Sequence, residues 1–323
     1  MDTALPSDWR PLDPGQATDW VRLLAAIEAE DKAEVHFNEQ DVLEEFEDPY
    51  CDFPRGSTAV YDGGTMVGFA ALTSRTSADP THEMYQWGGV HPSYRGAGLG
   101  GKLLDWSEQA ALPVHEARFP GHPLALHSEC LSLNERAIAL FGARGYRQER
   151  WFHLMNVELA RSPPGRDAPP SVRIVDFNAE NSDVARAIRN EAFRDHWGST
   201  ESTPLKWSRL LESSAFRPQF SFLAFEGSQP LGVILCLEFV ADAAATGKRD
   251  LYVQTVGTVR AARNRGIASA LLSRVLQAAK SAGFKTASLN VDADSPTGAM
   301  GLYQRAGFGV VNTSVSMVKQ LRA

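Results

Sequence analysis

The sequence has few cysteines and no long apolar segment. Cys51, Cys130 and Cys236 are widely spaced and odd in number among 323 residues. They predict neither a disulfide framework nor a metal site, and they favour a reducing compartment. No apolar run reaches the roughly 18 residues that a membrane span requires. The first nine residues also lack the basic start and apolar core of a secretory signal. We therefore expect a cytoplasmic protein with no membrane segment and no bound metal.

Positive charge is also scarce. The chain has 32 Lys and Arg against 39 Asp and Glu, a net charge of −7, which argues against nucleic acid as a partner. Eleven carboxylates and one lysine lie between Glu28 and Asp52. This segment is either a solvated helical face or an attractive surface for a cationic ligand. The length and the 43% hydrophobic content suit two globular domains.

The predicted elements occur twice in the same order. In each half, amphipathic helices precede a hairpin, a strand, a glycine-containing loop, a long helix, a further strand and a short helix that ends at glycine. Thr18 is a candidate N-cap of the first helix, residues 38–48 form the second, and residues 62–64 form a hairpin turn. In the second half we expect strands over 231–240 and 250–259.

Residues 161–171 are rich in proline and read as a linker. Equivalent residues lie 168 positions apart at Arg95 and Arg263, and 162 apart at Gly145 and Gly307. We predict domains over 1–160 and 172–323 that are related by duplication.

Two strand–loop–helix segments carry the first functional signal. A β-branched run leads into Arg263-Asn-Arg-Gly266-Ile-Ala268, and a similar strand leads into Arg95-Gly-Ala-Gly98-Leu-Gly100. A loop of this kind presents free backbone N–H groups at the positive end of a helix dipole, which is a suitable binding site for phosphate.

These loops, together with a later motif, resemble the GNAT superfamily of N-acetyltransferases. The loops match the family's pyrophosphate motif of Arg or Gln, two residues, Gly, one residue, and Gly or Ala. The later motif is a small-residue helix with Leu302-Tyr303, followed by Gly307-Phe308. The tandem arrangement looks like the mycothiol synthase type and related acetyltransferases of antibiotic pathways. The resemblance implies an α/β fold of two GNAT-type domains, each a mixed, mostly antiparallel twisted sheet flanked by helices.

The resemblance also implies acetyl-CoA, or a related acyl-CoA, as donor. The pantetheine arm would bind along the backbone of Val256–Val259, as an added strand would. Small residues at Gly266 and Ala268 would let the backbone approach the pyrophosphate. The candidate donor-site residues in the second copy are Val256, Gly257, Thr258, Val259, Arg263, Asn264, Arg265, Gly266, Ile267, Ala268, Ser269 and Asn290. Those in the first copy are Val90, Arg95, Gly96, Gly98 and Gly100.

The two copies differ at the catalytic position that the resemblance implies. Tyr303 corresponds to the family's hydroxyl donor to the leaving thiolate, whereas the first copy has Phe141, which cannot donate. We therefore expect catalysis in the C-terminal domain. The first copy is either structural or a binding relic. The family's asparagine seven residues before the tyrosine is replaced by Pro296, although the first copy keeps Asn134; Ser295 or Asn290 could supply the lost contacts.

The general base is open at this stage. Many family members use a glutamate on the strand before the loop. By the two-residue period, Asp250, Tyr252 and Gln254 share one face of that strand, and Asp250 is its carboxylate. Glu238 and His196 are alternatives. Trp197 and Trp207 could line an acceptor pocket or belong to the core.

The leading hypothesis is an acetyl-CoA-dependent N-acetyltransferase acting on the primary amine of a small molecule, as a monomer or a homodimer. One alternative is a mycothiol-synthase-like acetylation of an amino-sugar thiol precursor. Another is a non-catalytic acyl-CoA-binding sensor.

Overall fold

The computed structural model describes residues 5–194, 196–295 and 298–323. Its strands are β1 Asp8–Arg10, β2 Ser57–Asp62, β3 Thr65–Ser74, β4 His82–Val90, β5 Leu124–Leu131, β6 Arg147–Glu158, β7 Val172–Asp176, β8 Phe222–Glu226, β9 Gln229–Leu237, β10 Asp250–Thr258, β11 Thr286–Asp292 and β12 Gly309–Arg322. Its α-helices are α1 Ala17–Asp31, α2 Glu39–Phe46, α3 Phe53–Gly56, α4 Leu99–Arg118, α5 Glu135–Ala143, α6 Ser182–Ala192, α7 Pro204–Glu212, α8 Val240–Thr246, α9 Ile267–Ser281 and α10 Ala299–Arg305.

The chain divides into two compact units. Unit 1 comprises Met1–Trp151 and Thr313–Ala323, and unit 2 comprises Phe152–Asn312. The strand order is β1-β2-β3-β4-β5-β12 in unit 1 and β7-β8-β9-β10-β11-β6 in unit 2. Neighbouring strands within each unit are antiparallel except for β4 with β5 and β10 with β11. The predicted α/β fold, with a mixed and mostly antiparallel sheet in each half, is confirmed.

The final strand of each half completes the sheet of the other half. Strand β6 lies along β11, with Glu158 opposite Thr286 and Phe152 opposite Asp292. Strand β12 lies along β5 from Ser314 onward. The compact units therefore differ from the predicted domains 1–160 and 172–323. An alternating strand pattern shows that a strand will be paired, but it does not identify the partner.

The N-terminal segment of unit 1 begins its helices differently from the prediction. A 3-10 turn at Pro14–Gln16, capped by Asp13, runs directly into α1. Thr18 therefore lies inside the first turn rather than at the N-cap, and its hydroxyl donates to Glu39 at 2.6 Å. Helix α2 is shorter than the predicted 38–48. The hairpin turn at residues 62–64 is confirmed, with Gly63 and Gly64 at φ 55° and 83°.

In unit 2 the strand predicted over 231–240 ends earlier. Strand β9 stops at Leu237, and the unpredicted helix α8 begins at Val240. The change of direction occurs at Glu238, a buried carboxylate that binds Arg217 and Arg249 at 2.8 and 2.7 Å. These two ion pairs hold the segment between β9 and α8 in place.

Residues 161–171 contain no helix or strand, as the linker prediction expects. They nevertheless pack on helix α9. The backbone N–H of Arg166 donates to the Ser273 hydroxyl of α9 at 2.8 Å, and a Cβ added at Gly165 would lie 2.9 Å from Ser273 Cβ. This linker is docked rather than free.

Candidate active site

The main feature of unit 2 is an opening between β10 and β11. Their parallel pairing runs from Asp250 opposite Thr286 to Tyr252 opposite Ser288, and then ends. Beyond this point β10 pairs only with β9 and β11 only with β6. The edge of β10 that faces β11 therefore has backbone groups available for an added strand. The backbone of Val256–Thr258 lies along this edge, and the N–H of Val259 donates to Leu231 O at 3.0 Å.

A β-bulge lies at the start of the opening. The register of β10 on β9 shifts between Val253 and Thr255, so Gln254 has no partner in the ladder. The bulge interrupts the two-residue period on which the shared face of Asp250, Tyr252 and Gln254 was predicted, so the alternation is reversed beyond Gln254. Asp250 and Tyr252, which precede the bulge, remain on one face.

The loop after β10 has a backbone suited to an anion. Asn264 and Gly266 are in the left-handed region, at φ 62° and 81°, which asparagine and glycine tolerate best. Gly266 is the N-cap of α9 and gives no side-chain cap to the first helical N–H groups. Ile267 is buried in the core and anchors the helix start. The N–H groups around Ala268 and Ser269 therefore point out of an anchored, uncapped helix end.

The two arginines of the loop have protein partners. Arg263 Nη2 donates to Ala192 O at 3.0 Å, which ties the loop to the end of α6. Arg265 forms an ion pair with Glu226 at 2.6 Å. Both guanidinium groups thus contact protein atoms, whereas the N–H groups at the start of α9 have no side-chain cap and are the loop's strongest candidates for a phosphate.

Tyr303 lies on α10, the short helix that follows β11. The side chain is buried, and its ring meets Phe308 edge-on at 6.0 Å. Burial, and then the nearby Tyr252, raise the pKa of its phenol, so the hydroxyl keeps its proton at neutral pH. No hydrogen bond to this hydroxyl is present within the described ranges. Tyr303 is thus a protonated donor without a protein acceptor there.

Asp250 lies at the start of β10, on the same face as Tyr252. Its carboxylate accepts hydrogen bonds from Ser288 Oγ and, at 3.3 Å, from Asn156 Nδ2. Burial raises the pKa of this carboxyl group, and hydrogen bonds from Ser288, Thr286 and Asn156 oppose the increase. It is therefore a more basic carboxylate than an exposed aspartate.

The alternative bases are less suitable. Burial would raise the pKa of Glu238, but hydrogen bonds from Arg249 and Arg217 outweigh this effect, so its pKa lies below its usual range. His196 Nδ1 lies 3.0 Å from the backbone oxygen of Trp197. A doubly ion-paired glutamate is a poor proton acceptor, and His196 is engaged through Nδ1 with its own loop.

The two tryptophans have different environments. Trp207 is buried and donates to Ser182 Oγ at 2.9 Å, so it belongs to the core. Trp197 is half-buried, and its ring lies 5.9 Å from that of Phe152 on β6. Every second residue of a strand lies on the same face, so Phe152 shares a face of β6 with Asn156. Asn156 is paired with Ser288, and Ser288 is on the same face of β11 as Thr286, the partner of Asp250. The aromatic pair therefore lies on the same face of the sheet as Asp250.

Unit 1 repeats the loop of unit 2. Gly96 and Gly98 have φ of 82° and 95°, like Asn264 and Gly266. Arg95 donates to Val90 O and forms a bidentate pair with Asp31 at 2.6 and 2.8 Å. A Cβ at Gly100 would lie 3.2 Å from Leu140 Cδ2, so close packing on α5 favours glycine there.

The opening of unit 1 lacks the bulge. Strand β4 pairs with β3 in continuous register, and its parallel pairing with β5 ends at Tyr85 opposite His127. Tyr252 is the last residue of β10 that pairs with β11, so Tyr85 corresponds to Tyr252 and Glu83, two residues earlier, corresponds to Asp250. Glu83, however, lies 3.5 Å from Arg75 Nε and accepts from the Tyr85 hydroxyl at 2.9 Å. Its charge is matched by a guanidinium.

The aromatic residues of the later motif are reversed between the units. Unit 1 has Phe141 with Tyr146, at 5.2 Å, where unit 2 has Tyr303 with Phe308. Burial, and then the nearby Glu108, raise the pKa of the Tyr146 phenol. The hydroxyl in unit 1 thus belongs to the other aromatic position of the motif. Asn134 caps α5 by accepting from Ala137 N at 3.1 Å; Pro296, its counterpart, lies outside the described residues.

Sequence reasoning missed Ser288 on β11 and two residues of another strand, Asn156 and Phe152. Both belong to β6, which precedes the linker and was assigned to the N-terminal domain. The sequence predicts a strand over residues 148–159, but its pairing with β11 is decided only by the fold. Asn290, by contrast, lies on β11 opposite Leu154 and is exposed along the opening.

A duplicated α/β unit with an interrupted parallel pair and an uncapped loop defines an acyltransferase-type fold. The model of the acetyltransferase (GNAT) family matches residues 22–146 and 183–308. The chain belongs to this family, which transfers acyl groups and uses acetyl-CoA as donor in general.

Relatives support the tandem arrangement. A mycothiol acetyltransferase of Thermobispora bispora is 29% identical over 77% of this chain and 78% of its own length. One of Clavibacter sepedonicus is 30% identical over 68% and 67%. A GCN5-related N-acetyltransferase structure from Sphaerobacter thermophilus has a TM-score of 0.80 and 27% identity, covering 99% and 98%. A tandem GNAT protein from the clavulanic acid biosynthesis pathway has a TM-score of 0.74 at 13% identity, covering 98% and 99%, and shares the fold.

Among the described residues, no helix is both long and apolar enough to cross a membrane.

Proposed function

We propose that unit 2 transfers an acetyl group from acetyl-CoA to the primary amine of a small molecule by direct attack. The observation that carries this proposal is the combination found in unit 2 and missing in unit 1. Unit 2 has the bulge in β10, the tyrosine hydroxyl on α10 and a carboxylate that forms no ion pair with any described residue. Unit 1 has a continuous β4, Phe141 and an arginine-paired Glu83.

The residues present suit the donor. The uncapped loop at Asn264–Ser269 would hold the pyrophosphate through backbone N–H groups, and each such charge-assisted bond contributes about 1.5–3 kcal/mol. Val256–Val259 would pair with the pantetheine arm, and Asn290 lies across the opening from them. The bound thioester supplies an activated acyl group. The loop of unit 1 keeps the same backbone, so residues Val90, Arg95, Gly96, Gly98 and Gly100 form a second candidate binding site without the catalytic groups.

The chain's own residues supply the proton chemistry. A primary alkylamine is mostly protonated at neutral pH, and its neutral form costs about 4 kcal/mol to reach. Asp250 accepts a proton from the amine, directly or through water, as the N–C bond forms. The C–S bond breaks, and the Tyr303 hydroxyl donates a hydrogen bond to the departing thiolate. A thiol is more acidic than this phenol, so Tyr303 stabilises the thiolate and need not lose its proton.

The acceptor is a small amine. The aromatic pair Phe152–Trp197 on the face of Asp250 suits an acceptor with an apolar or ring-shaped surface. The mycothiol acetyltransferase relatives make an amino-sugar thiol precursor the first specific candidate. A non-catalytic acyl-CoA sensor remains the second candidate function, because unit 1 keeps a binding loop without Tyr303 or an unpaired base. We expect the protein to act in the cytoplasm, as a monomer or a homodimer.

The test is an acceptor panel with purified full-length protein and acetyl-CoA. Glucosamine, spermidine, an aminoglycoside and the amine precursor of mycothiol are compared by acetyl-CoA loss and by product mass. Acceptor-dependent loss of acetyl-CoA with an acetylated product supports the proposal. Tight acetyl-CoA binding with no acetylated product from any amine would favour the sensor.

A further inference from the structure

We propose that Asn156 on β6 is a positioning residue for the reaction of unit 2, holding the Asp250 carboxylate toward the acceptor with a neutral amide in place of a cation. The inference rests on the proposed role of Asp250 as base. Asn156 Nδ2 donates to Asp250 Oδ1 at 3.3 Å, and Ser288 Oγ donates to Oδ2. Each carboxylate oxygen is therefore held by a different strand.

The register of three adjacent strands produces this arrangement. Asn156 lies directly opposite Ser288 in the β6–β11 pair, and Asp250 lies opposite Thr286 in the β10–β11 pair. Tyr252 is opposite Ser288 at the last paired position before the opening. Asp250 therefore lies two residues before the point where β10 and β11 separate, which is about 7 Å along β10.

Within residues 152–194, 196–295 and 298–312, the groups that face the carboxylate are polar but uncharged. The groups that face it are Ser288 and Thr286 from β11, Asn156 from β6 and Tyr252 from β10 itself. Charged neighbours are engaged elsewhere. Arg249, next in sequence, binds Glu238 at 2.7 Å, and Glu158, the next residue of β6 on this face, pairs with Arg161 at 3.2 Å.

Unit 1 shows the alternative arrangement. Its corresponding carboxylate, Glu83, is paired with Arg75 and accepts from Tyr85. A guanidinium orients a carboxylate but stabilises its charge and so lowers its basicity. An amide and a hydroxyl orient it at a much smaller cost in basicity. Asn156 therefore supplies the orientation that an arginine supplies in unit 1, while Asp250 stays basic enough to accept a proton.

The experiment compares full-length wild type with Asn156→Leu, Ser288→Ala, Asp250→Asn and the double variant Asn156→Leu/Asp250→Asn. The acceptor is glucosamine or spermidine, whichever the panel shows to react faster, at saturating acetyl-CoA. For Asn156→Leu we expect kcat/KM at neutral pH to fall about tenfold. The acid limb of the kcat profile should move to higher pH, because a hydrogen bond that favours the ionised carboxylate is lost. Ser288→Ala should shift the limb in the same direction.

The double variant separates positioning from a general structural effect. If Asn156 acts through Asp250, adding Asn156→Leu to Asp250→Asn should change kcat by less than about twofold. A full second tenfold loss, or an unmoved acid limb in both Asn156→Leu and Ser288→Ala, would overturn the inference. Thermal melting identifies any variant that is unfolded, and the remaining single variant then decides the matter.

Failure of the inference can be told apart from failure of the proposed function. If wild type acetylates no amine, the proposed function fails. If Asp250→Asn keeps wild-type kcat, the base assignment fails and the inference fails with it. If Asp250→Asn is impaired but Asn156→Leu has the wild-type pH profile, only the positioning role of Asn156 is wrong.

Discussion

Replacing Tyr303 by phenylalanine tests the central difference between the two units. The hydroxyl has no hydrogen-bond partner among the described residues, and the ring keeps its contact with Phe308. Folding should therefore change by less than about 1 kcal/mol. In catalysis, the lost hydrogen bond to a developing thiolate is worth about 1.5–3 kcal/mol, and each 1.36 kcal/mol is tenfold in rate. We expect kcat to fall roughly 10- to 150-fold.

The assay is acetyl-CoA loss at saturating amine, with acetyl-CoA affinity measured separately by calorimetry. Because the hydroxyl acts on the leaving group, kcat should fall while the affinity for acetyl-CoA stays within about twofold. Phe141→Tyr is the matched control, since it adds a hydroxyl at the corresponding position of unit 1. It should neither raise the wild-type rate nor rescue Tyr303→Phe. An undiminished kcat in Tyr303→Phe would refute the assignment of the donor, and a rescue by Phe141→Tyr would place catalysis in the wrong unit.

Three further perturbations test the loop, the alternative base and the stability of unit 1. Gly266 has φ 81°, which valine does not tolerate, so Gly266→Val should weaken acetyl-CoA binding and lower kcat/KM at least tenfold. Gly98→Val should leave turnover nearly unchanged. If steady-state kinetics rank the two variants in the reverse order, the reaction belongs to unit 1. Glu238→Gln leaves two guanidinium groups without their carboxylate and should cost about 1–3 kcal/mol of stability in denaturant melts, with no change in the pH profile of kcat unless Glu238 is the base. His82 Nδ1 lies 2.7 Å from His115 Nδ1, and burial, followed by the charge of His115, lowers the pKa of His82 to about 4. Because His82 then binds a proton more readily in the unfolded chain than in the folded protein, its contribution to the free energy of unfolding should be fully present above about pH 6.5. That contribution should decline as the pH falls toward 4. His82→Gln should flatten that part of the melting curve against pH, and an equally steep decline in the variant would contradict this explanation.

The donor loops were predictable because their geometry is local. Left-handed backbone at two positions separated by one residue requires glycine or asparagine. The segments around Gly96–Gly98 and Asn264–Gly266 have these residues, and the structure gives them positive φ. The same applies to the turn at Gly63–Gly64. Residues within a few positions of one another determine each of these conformations.

The face of β10 was predicted only in part. The two-residue period placed Asp250 and Tyr252 together, but one extra residue at Gln254 reverses the alternation beyond it. A bulge of this kind has no residue signature in β10. Comparison of the two units reveals it. The last parallel-paired residue is Tyr85 in unit 1, 10 residues before Arg95, and Tyr252 in unit 2, 11 residues before Arg263. The extra residue of unit 2 is the bulge.

The sequence by itself determined the duplication, the two loops and the contrast between Tyr303 and Phe141, because each depends on residue identity at a short, regular spacing. The tertiary structure decided which strands complete which unit, where β10 is interrupted and what holds Asp250. The Asn156–Asp250 contact joins residues 94 positions apart. Such a contact depends on the register of three strands, and strand patterns specify which face is buried without specifying the neighbouring strand.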